Sequence, residues 1–545
     1  MQDATEAAAK RRALITVRQL CGYTGSELHT LAMGRMFQQA GYDVTLAVFD
    51  AAYPLLGEAR AHGMQALVVG EHRQPLPPFD VVLAQHFPVL DDLLLHRQVV
   101  WERLVVSILG PKDVLETPPS YAKEANLITF VSEETQARAR WLCPWLLDEQ
   151  QFLFYNYAPR EYFAAFRPGL PRRPRRMAAI SNHICPEVAA LRAWVEAEGG
   201  RLDLIGVEYE AVPVTPELLG QYDVVITIGK TVQFCMAAGI PVYCYDAYGG
   251  PGYITTDNFD AQRTTNFSGR GQPIHRTTQE LWQDIQAGYA RALQDRRSLQ
   301  AWTERRFSLE TQFAVLLERL LATPARPQPE LGWDAHRRGQ AELATLYMRS
   351  APLYRTGRSA VYWDMGKGYA EEGHGEYPVI YHTKLTVEIP VPPEARRLRF
   401  DPDFCPCLCQ LHGVSCGQNL LAAQKISPYR PCKQGDLMLD DDPQYEILLP
   451  DGATAVTLTF TLYPVGIHML LAEIHQTSAR MLESERQVNA DQTVFLSEQE
   501  RRLRDLQSRN AELQTRLEQM EQSTLWRLTA PLRHLKDALS AKKEV

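Results

Sequence analysis

The chain has 545 residues, enough for three or four domains at roughly 100–200 residues each. Its net charge of −8 is spread along the sequence, which leaves no basic footprint for nucleic acid. With 45% hydrophobic and 22% charged residues it is neither disordered nor of low complexity, and a large core is available.

Residues 1–10 contain no apolar stretch, so no secretory signal is expected there. The longest charge-free run, 452–472, is long enough to be tested as a membrane span. Within it, however, Val456, Leu458, Phe460 and Leu462 alternate with threonines, the period of a half-buried strand. The ten cysteines are expected as reduced thiols of a cytoplasmic protein.

Residues 13–330 alternate strands with helices, the pattern of parallel sheets with crossover helices. A strand at 13–17 leads into the loop Cys21-Gly22-Tyr23-Thr24-Gly25-Ser26, then a helix that Gly41 ends. Strands follow at 44–49, 81–84, 104–109 and 127–131. A Pro- and Arg-rich stretch at 168–176 reads as a solvated linker. A second series begins at 177–180 and continues at 202–205, 224–228 and 242–245, closed by helices at 278–293 and 299–321. Two α/β domains, 1–168 and 177–325, would leave a cleft between them, the usual place for a ligand.

Beyond the prolines at 324–329, residues 345–470 are expected to form a β-sandwich of short strands and turns. A coiled coil is expected over 475–525. There Leu503, Asn510 and Leu517 share one heptad position, and Leu506, Leu513 and Met520 share the other. Asparagine at a core position is typical of a parallel dimer, so a homodimer is expected. The tail 526–545 is basic and amphipathic, with Trp526. It suits a peripheral membrane contact, or equally a cap on the coiled coil.

The most informative stretch is strand 224–228 followed by Gly229-Lys230-Thr231 and a helix. Such a turn aims backbone N–H groups and one ammonium at the same point, which suits a phosphate. It is not a Walker A loop, because Val224 stands where the first glycine is required. The bland alternative is a capped helix with an exposed lysine. No G-x-G-x-x-G occurs in the first loop, which argues against a nicotinamide dinucleotide. Cys405, Cys407 and Cys409 alternate as on one face of a strand, so no metal is expected.

Five segments, in order, resemble the GT-B glycosyltransferases, enzymes with two Rossmann-like domains. They are Gly25-Ser26-Glu27-Leu28-His29 with Gly41-Tyr42-Asp43-Val44-Thr45; Val131-Ser132-Glu133-Glu134-Thr135; Tyr155-Asn156-Tyr157-Ala158 with Tyr162-Phe163; Ala237-Ala238-Gly239-Ile240-Pro241-Val242; and Gly249-Gly250-Pro251-Gly252. The resemblance implies a nucleotide-sugar donor held by the second domain and an acceptor held by the first. Gly229, Lys230 and Thr231 would then bind the diphosphate, with Asn182 and His183 nearby. Gly249, Gly250 and Gly252 would allow close backbone approach, and Gly25 and Ser26 would donate across the cleft. His86, after strand 81–84, would serve as general base.

One departure concerns the carboxylate pair of many retaining members. Ile226 and Phe234 occupy those places here, and Gln233 is expected to take over a ribose or phosphate contact. The expected function is sugar transfer to a growing surface glycan (O-antigen, capsule or exopolysaccharide) or a lipid-linked acceptor. The setting is cytoplasmic, at the inner face of the membrane, with no cofactor besides the nucleotide sugar. The alternatives are a non-catalytic scaffold of the same fold and a sugar-nucleotide epimerase.

Overall fold

The computed structural model describes residues 10–326, 356–465 and 493–522. Excepted are short segments at 70–73, 97–98, 207–208, 210–211, 371–372, 433–434, 439 and 441. The chain divides into two units, Met1–Pro464 and Val465–Val545.

In chain order, the first domain contains β1 (Arg11–Thr16), β2 (Gln19–Leu20), α1 (Gly25–Gln39), β3 (Tyr42–Val48), β4 (Asp50–Ala51) and α2 (Leu55–Ala61). It continues with β5 (Gln65–Val68), β6 (Phe79–Gln85), α3 (Phe87–Leu95), β7 (Trp101–Ile108), β8 (Leu127–Phe130), α4 (Glu133–Leu142) and β9 (Gln151–Leu153). Seven strands form a parallel sheet in the order β5-β3-β1-β6-β7-β8-β9. Val81, Val82, Leu83 and Ala84 are all buried, as expected where both faces of a parallel sheet are covered.

The second domain contains α5 (Arg160–Ala164), β10 (Arg176–Ile180), α6 (Pro186–Ala197), β11 (Arg201–Ile205), α7 (Pro216–Leu219) and β12 (Val224–Thr227). It continues with α8 (Lys230–Ala238), β13 (Val242–Asp246), β14 (Gly249–Tyr253), α9 (Phe259–Arg263), α10 (Thr278–Phe307) and α11 (Leu309–Ala322). Its sheet runs β11-β10-β12-β13-β14, parallel except for β14. Strand order reverses on either side of β1 in the first sheet and of β10 in the second. The crevice at such a reversal is where open α/β sheets take ligands.

Three expectations change here. The break foreseen between 293 and 299 does not exist, and α10 continues to Phe307. Its polar run looks like a terminus in sequence, but Asp295 accepts from the Thr256 N–H and Arg291, and the buried Arg296 donates to the carbonyls of Gly239 and Arg167. The true break is at Ser308, whose Oγ accepts the Thr311 N–H and caps α11. Second, α11 does not stay with the second domain. Its Leu309, Phe313, Leu316 and Leu320 join the core of the first sheet, with Phe313 edge-on to Phe37 at 5.0 Å. Third, Gly249–Tyr253 is an edge strand and not a loop.

The third part of this unit is a sandwich of two antiparallel sheets of five and six strands, the latter count including one short strand paired at its side. It opens with β15 (Thr356–Asp364), β16 (Gly375–Ile380) and β17 (Lys384–Pro390). The strand Ala455–Pro464 pairs with β17 and with Cys407–Cys416, and Val456, Leu458, Phe460 and Leu462 are all buried. The alternation read from the sequence therefore sets the face buried in the core. Cys407 and Cys409 lie in that core as well, and burial pushes both thiols up. Among the described residues no group of His, Cys, Asp and Glu could hold a metal, and no helix is long and apolar enough to cross a membrane.

In the second unit a helix spans Thr493–Gln522, with Leu506 and Leu513 exposed. The tail 526–545 lies outside the described residues, as do 345–355 and 475–492.

Candidate functional site

A cavity of about 1040 Å³ lies between the two α/β domains. On one side it is lined from the C-terminal ends of β10, β11 and β12, through Ile180, Ser181, Ile205, Gly206, Thr227 and Ile228. On the other side it is lined by Gly22, Tyr23 and Gly25 and by α1 residues including Leu28 and Arg35. The two reversal points thus meet at one cavity, the place where open α/β sheets take ligands.

Lys230 is the cation that the second domain brings to this cavity, with Arg35 on the opposite side. Gly229 adopts φ 63 and ψ −137, a conformation open only to glycine, and so permits the abrupt change from β12 to α8. That turn puts Lys230 at the first position of a nine-residue helix, beside the helix's exposed N–H groups. The ammonium sits 4.3 Å from the centroid of the Tyr157 ring and 5.6 Å from that of Phe234. No carboxylate pairs with it among the described residues, and desolvation pushes its pKa down to about 7. The Tyr157 hydroxyl shares a 3.2 Å hydrogen bond with His29 Nδ1, and burial with the nearby Lys230 lowers that imidazole to about 3. The lysine is thus held in an aromatic box with its charge uncompensated.

Phe234 explains the departure at the carboxylate position. Its ring stacks on Tyr162 at 4.2 Å and forms one wall of the box. Ile226 is a core residue of β12. Across the second sheet, Asp246 Oδ2 accepts from Ser181 Oγ at 2.8 Å, and Ser181 Oγ accepts the His183 N–H at 3.0 Å. This relay fixes the loop after β10, where Asn182 and His183 stand exposed on the cavity wall.

Of the residues singled out from the sequence, Gly25, Asn182, His183, Lys230 and Thr231 line the cavity together. The others do not. Gly249, Gly250 and Gly252 serve packing: a Cβ would meet the Ile274 backbone at 2.8 Å, the Cys244 carbonyl at 2.0 Å and Asp284 Oδ2 at 2.9 Å, respectively. The buried Gln233 amide nitrogen lies 2.6 Å from the Gly229 carbonyl and 3.1 Å from that of Lys230, in the orientation that satisfies both of its ends. It holds the turn and is not on the wall. Gly229 shapes the same turn without lining the cavity. Ser26 turns its carbonyl to Thr30 Oγ1 and Gln85 Nε2.

His86 is corrected too. Its Nδ1 accepts the Arg18 N–H at 3.1 Å and its Nε2 lies 3.3 Å from Glu116 Oε1. Both nitrogens are committed and the ring is buried, so the structure does not place it on the cavity wall. The first loop is likewise filled from within: Glu27 Oε1 accepts the N–H groups of Cys21 and Gly22 at 2.6 and 3.0 Å.

Sequence reading missed Asp246, Ser181, Arg35 and Glu58, and the contribution of Tyr157. Asp246 ends a strand after Val242-Tyr243-Cys244-Tyr245, and a polar residue at the C-terminal end of a buried parallel strand was the available signal.

No family model and no curated protein matches the chain. Among solved structures, a glycosyltransferase from Rickettsia africae ESF-5 is similar at 11% identity, over 57% of this chain and 99% of that one, with a TM-score of 0.40. WaaG, a glycosyltransferase involved in lipopolysaccharide biosynthesis, is similar at 8% identity over 57% and 100%, with a TM-score of 0.33. A UDP-N-acetylglucosamine 2-epimerase is similar at 12% identity over 58% and 100%, also at 0.33. At such scores the fold rests on the strand orders and the site on its own geometry.

Proposed function

We propose that this chain is a glycosyltransferase that takes a sugar from a nucleotide-sugar donor and passes it to a glycan or lipid-linked acceptor. The observation that carries the reading is Lys230, an uncompensated ammonium at a helix N-terminus and at the reversal point of a parallel sheet. A diphosphate supplies the missing counter-charge, and charge developing on the leaving diphosphate would be stabilised by the same groups. In this reading the nucleotide sugar is the only co-substrate and no metal is needed. A surface polysaccharide as product, a homodimer through 475–525 and a cytoplasmic protein touching the membrane through 526–545 belong to the same proposal.

A second reading, a scaffold that binds the nucleotide without turnover, is favoured by Ile226 and Phe234 at the carboxylate positions and by the committed His86. Thermal stabilisation by a panel of nucleoside diphosphates and nucleotide sugars tests the binding common to both. A ligand at 100 times its Kd adds about 2.7 kcal/mol, which a melting curve resolves. No shift with any member of the panel would sink both readings. A shift without donor turnover in the presence of acceptors would leave the scaffold.

A further inference from the structure

The cavity has a third wall. Ile380, Tyr381, His382 and Thr383, the turn from β16 to β17 of the sandwich, line it beside the two α/β domains. The sandwich is held there by backbone pairing. The Tyr53 N–H donates to the Pro378 carbonyl at 2.7 Å, and the Ile380 N–H donates to the Tyr53 carbonyl at 3.3 Å. The turn is rigid as well. His382 has φ 64, its N–H donates to the Leu462 carbonyl at 2.8 Å, and the Tyr381 hydroxyl donates to Asp403 at 2.6 Å. A non-glycine residue kept in the left-handed region needs its surroundings to hold it there.

The groups lining the same cavity with the turn differ in chemistry from those around Lys230. Arg35 stands six residues beyond His29 on α1, about 9 Å along the helix axis. Its guanidinium is 3.8 Å from Glu58 Oε2, and Glu58 also bonds the Tyr23 hydroxyl, so cation and carboxylate offset each other. A balanced pair, among a tyrosine, an imidazole and a hydroxyl that line the same cavity, suits a neutral ligand rich in hydroxyls, because each hydroxyl both donates and accepts. The cavity volume lies at the top of the ~300–1,000 Å³ usual for one small ligand, which leaves space for a second.

We propose that the β16–β17 turn completes a saccharide subsite with Tyr23, Arg35 and Glu58, so that the sandwich is a wall of the cleft and selects the acceptor sugar. Assigning that sugar as acceptor rests on the transferase reading; the saccharide site itself does not. The test is saturation-transfer NMR on the full chain without nucleotide, using methyl glycosides of glucose, galactose, mannose, rhamnose and N-acetylglucosamine. At least one glycoside is expected to bind. His382→Gly removes the ring at a backbone conformation glycine adopts freely, and both it and Arg35→Ala should weaken that glycoside at least fivefold. Lys230→Met should leave it unchanged, and His382→Gly should leave nucleotide-induced stabilisation unchanged. Binding of no glycoside, unaltered affinity in His382→Gly, or loss in Lys230→Met overturns the subsite. Glycoside binding in a chain that no nucleotide stabilises would keep the subsite and remove the transferase.

Discussion

Lys230 carries two opposed effects at one atom. Its ordinary pKa near 10.5 falls to about 7 in the folded chain, so between those values the unfolded state binds the extra proton and stability rises with pH. Below pH 7 the full penalty of holding a desolvated ammonium is present. Lys230→Met should therefore raise the melting temperature most at pH 6, with the gain fading as pH rises from 7 toward 10.5. The same variant should weaken nucleotide binding by about 1.5–3 kcal/mol, the range for a charge-assisted hydrogen bond. On the proposed reading, a ligand's phosphates would restore the ammonium in the wild type. Calorimetry of a nucleotide sugar in two buffers of different ionisation enthalpy should then show uptake of close to one proton at pH 8 and almost none at pH 6. Equal uptake at both values would mean that Lys230 is not the group that meets the phosphates.

At the scale of elements, α11 shows how packing overrides chain order. It follows α10 of the second domain after a single residue, Ser308, yet its apolar face completes the core beneath β1 and β3. Phe313, 3% exposed and edge-on to Phe37, should cost about 3–5 kcal/mol when cut to alanine. Hydrogen exchange is the check: amides of β1 and β3 should lose protection in Phe313→Ala while those of β12 keep theirs. The segment Val131-Ser132-Glu133-Glu134-Thr135 also acquires its meaning as an element. Ser132 Oγ accepts the Thr135 N–H and meets Thr135 Oγ1 at 2.9 Å, capping α4. The motif is a helix start, and its two glutamates are left free to make contacts outside the helix.

Those glutamates matter to the molecule as a whole, because both reach across the cleft. Glu133 pairs with Arg263, and Glu134 takes a two-pronged bond from Arg270 at 2.6 and 3.2 Å. Arg270 thus fastens one α/β domain to the other. Pairs of this partly exposed kind contribute roughly 0.2–1 kcal/mol each, enough to bias an opening motion without locking it. Glu133→Gln with Glu134→Gln should lower the energy-transfer efficiency between dyes placed one on each α/β domain. The effect should be largest at low salt, where the wild-type pairs are least screened. Efficiency unchanged by the double substitution would show that the arrangement of the two domains does not depend on these pairs.

Most strands of the α/β domains (though not β5, β9 or β14), the alternation at Val456–Leu462 and the Gly229-Lys230-Thr231 turn were legible in sequence because each depends on neighbours in the chain. Periodicity reports which side chains share a face, and glycine reports a local backbone need. The cavity itself was legible only in part. Gly249, Gly250 and Gly252 read alike whether a ligand or the protein's own backbone comes close, and only the fold distinguishes the Cys244 carbonyl from a phosphate. His86 looked free until the Arg18 N–H and Glu116 were brought to its two nitrogens from distant parts of the chain. Arg35 and Glu58 lie more than 300 residues from the turn at His382, and no local pattern links them to it. Sequence by itself determined most of the elements and the place of Lys230 at a helix start. Tertiary structure decided which groups were already satisfied by the protein and which were left for a ligand, because hydrogen-bond and charge compensation are settled by contacts between residues far apart in sequence.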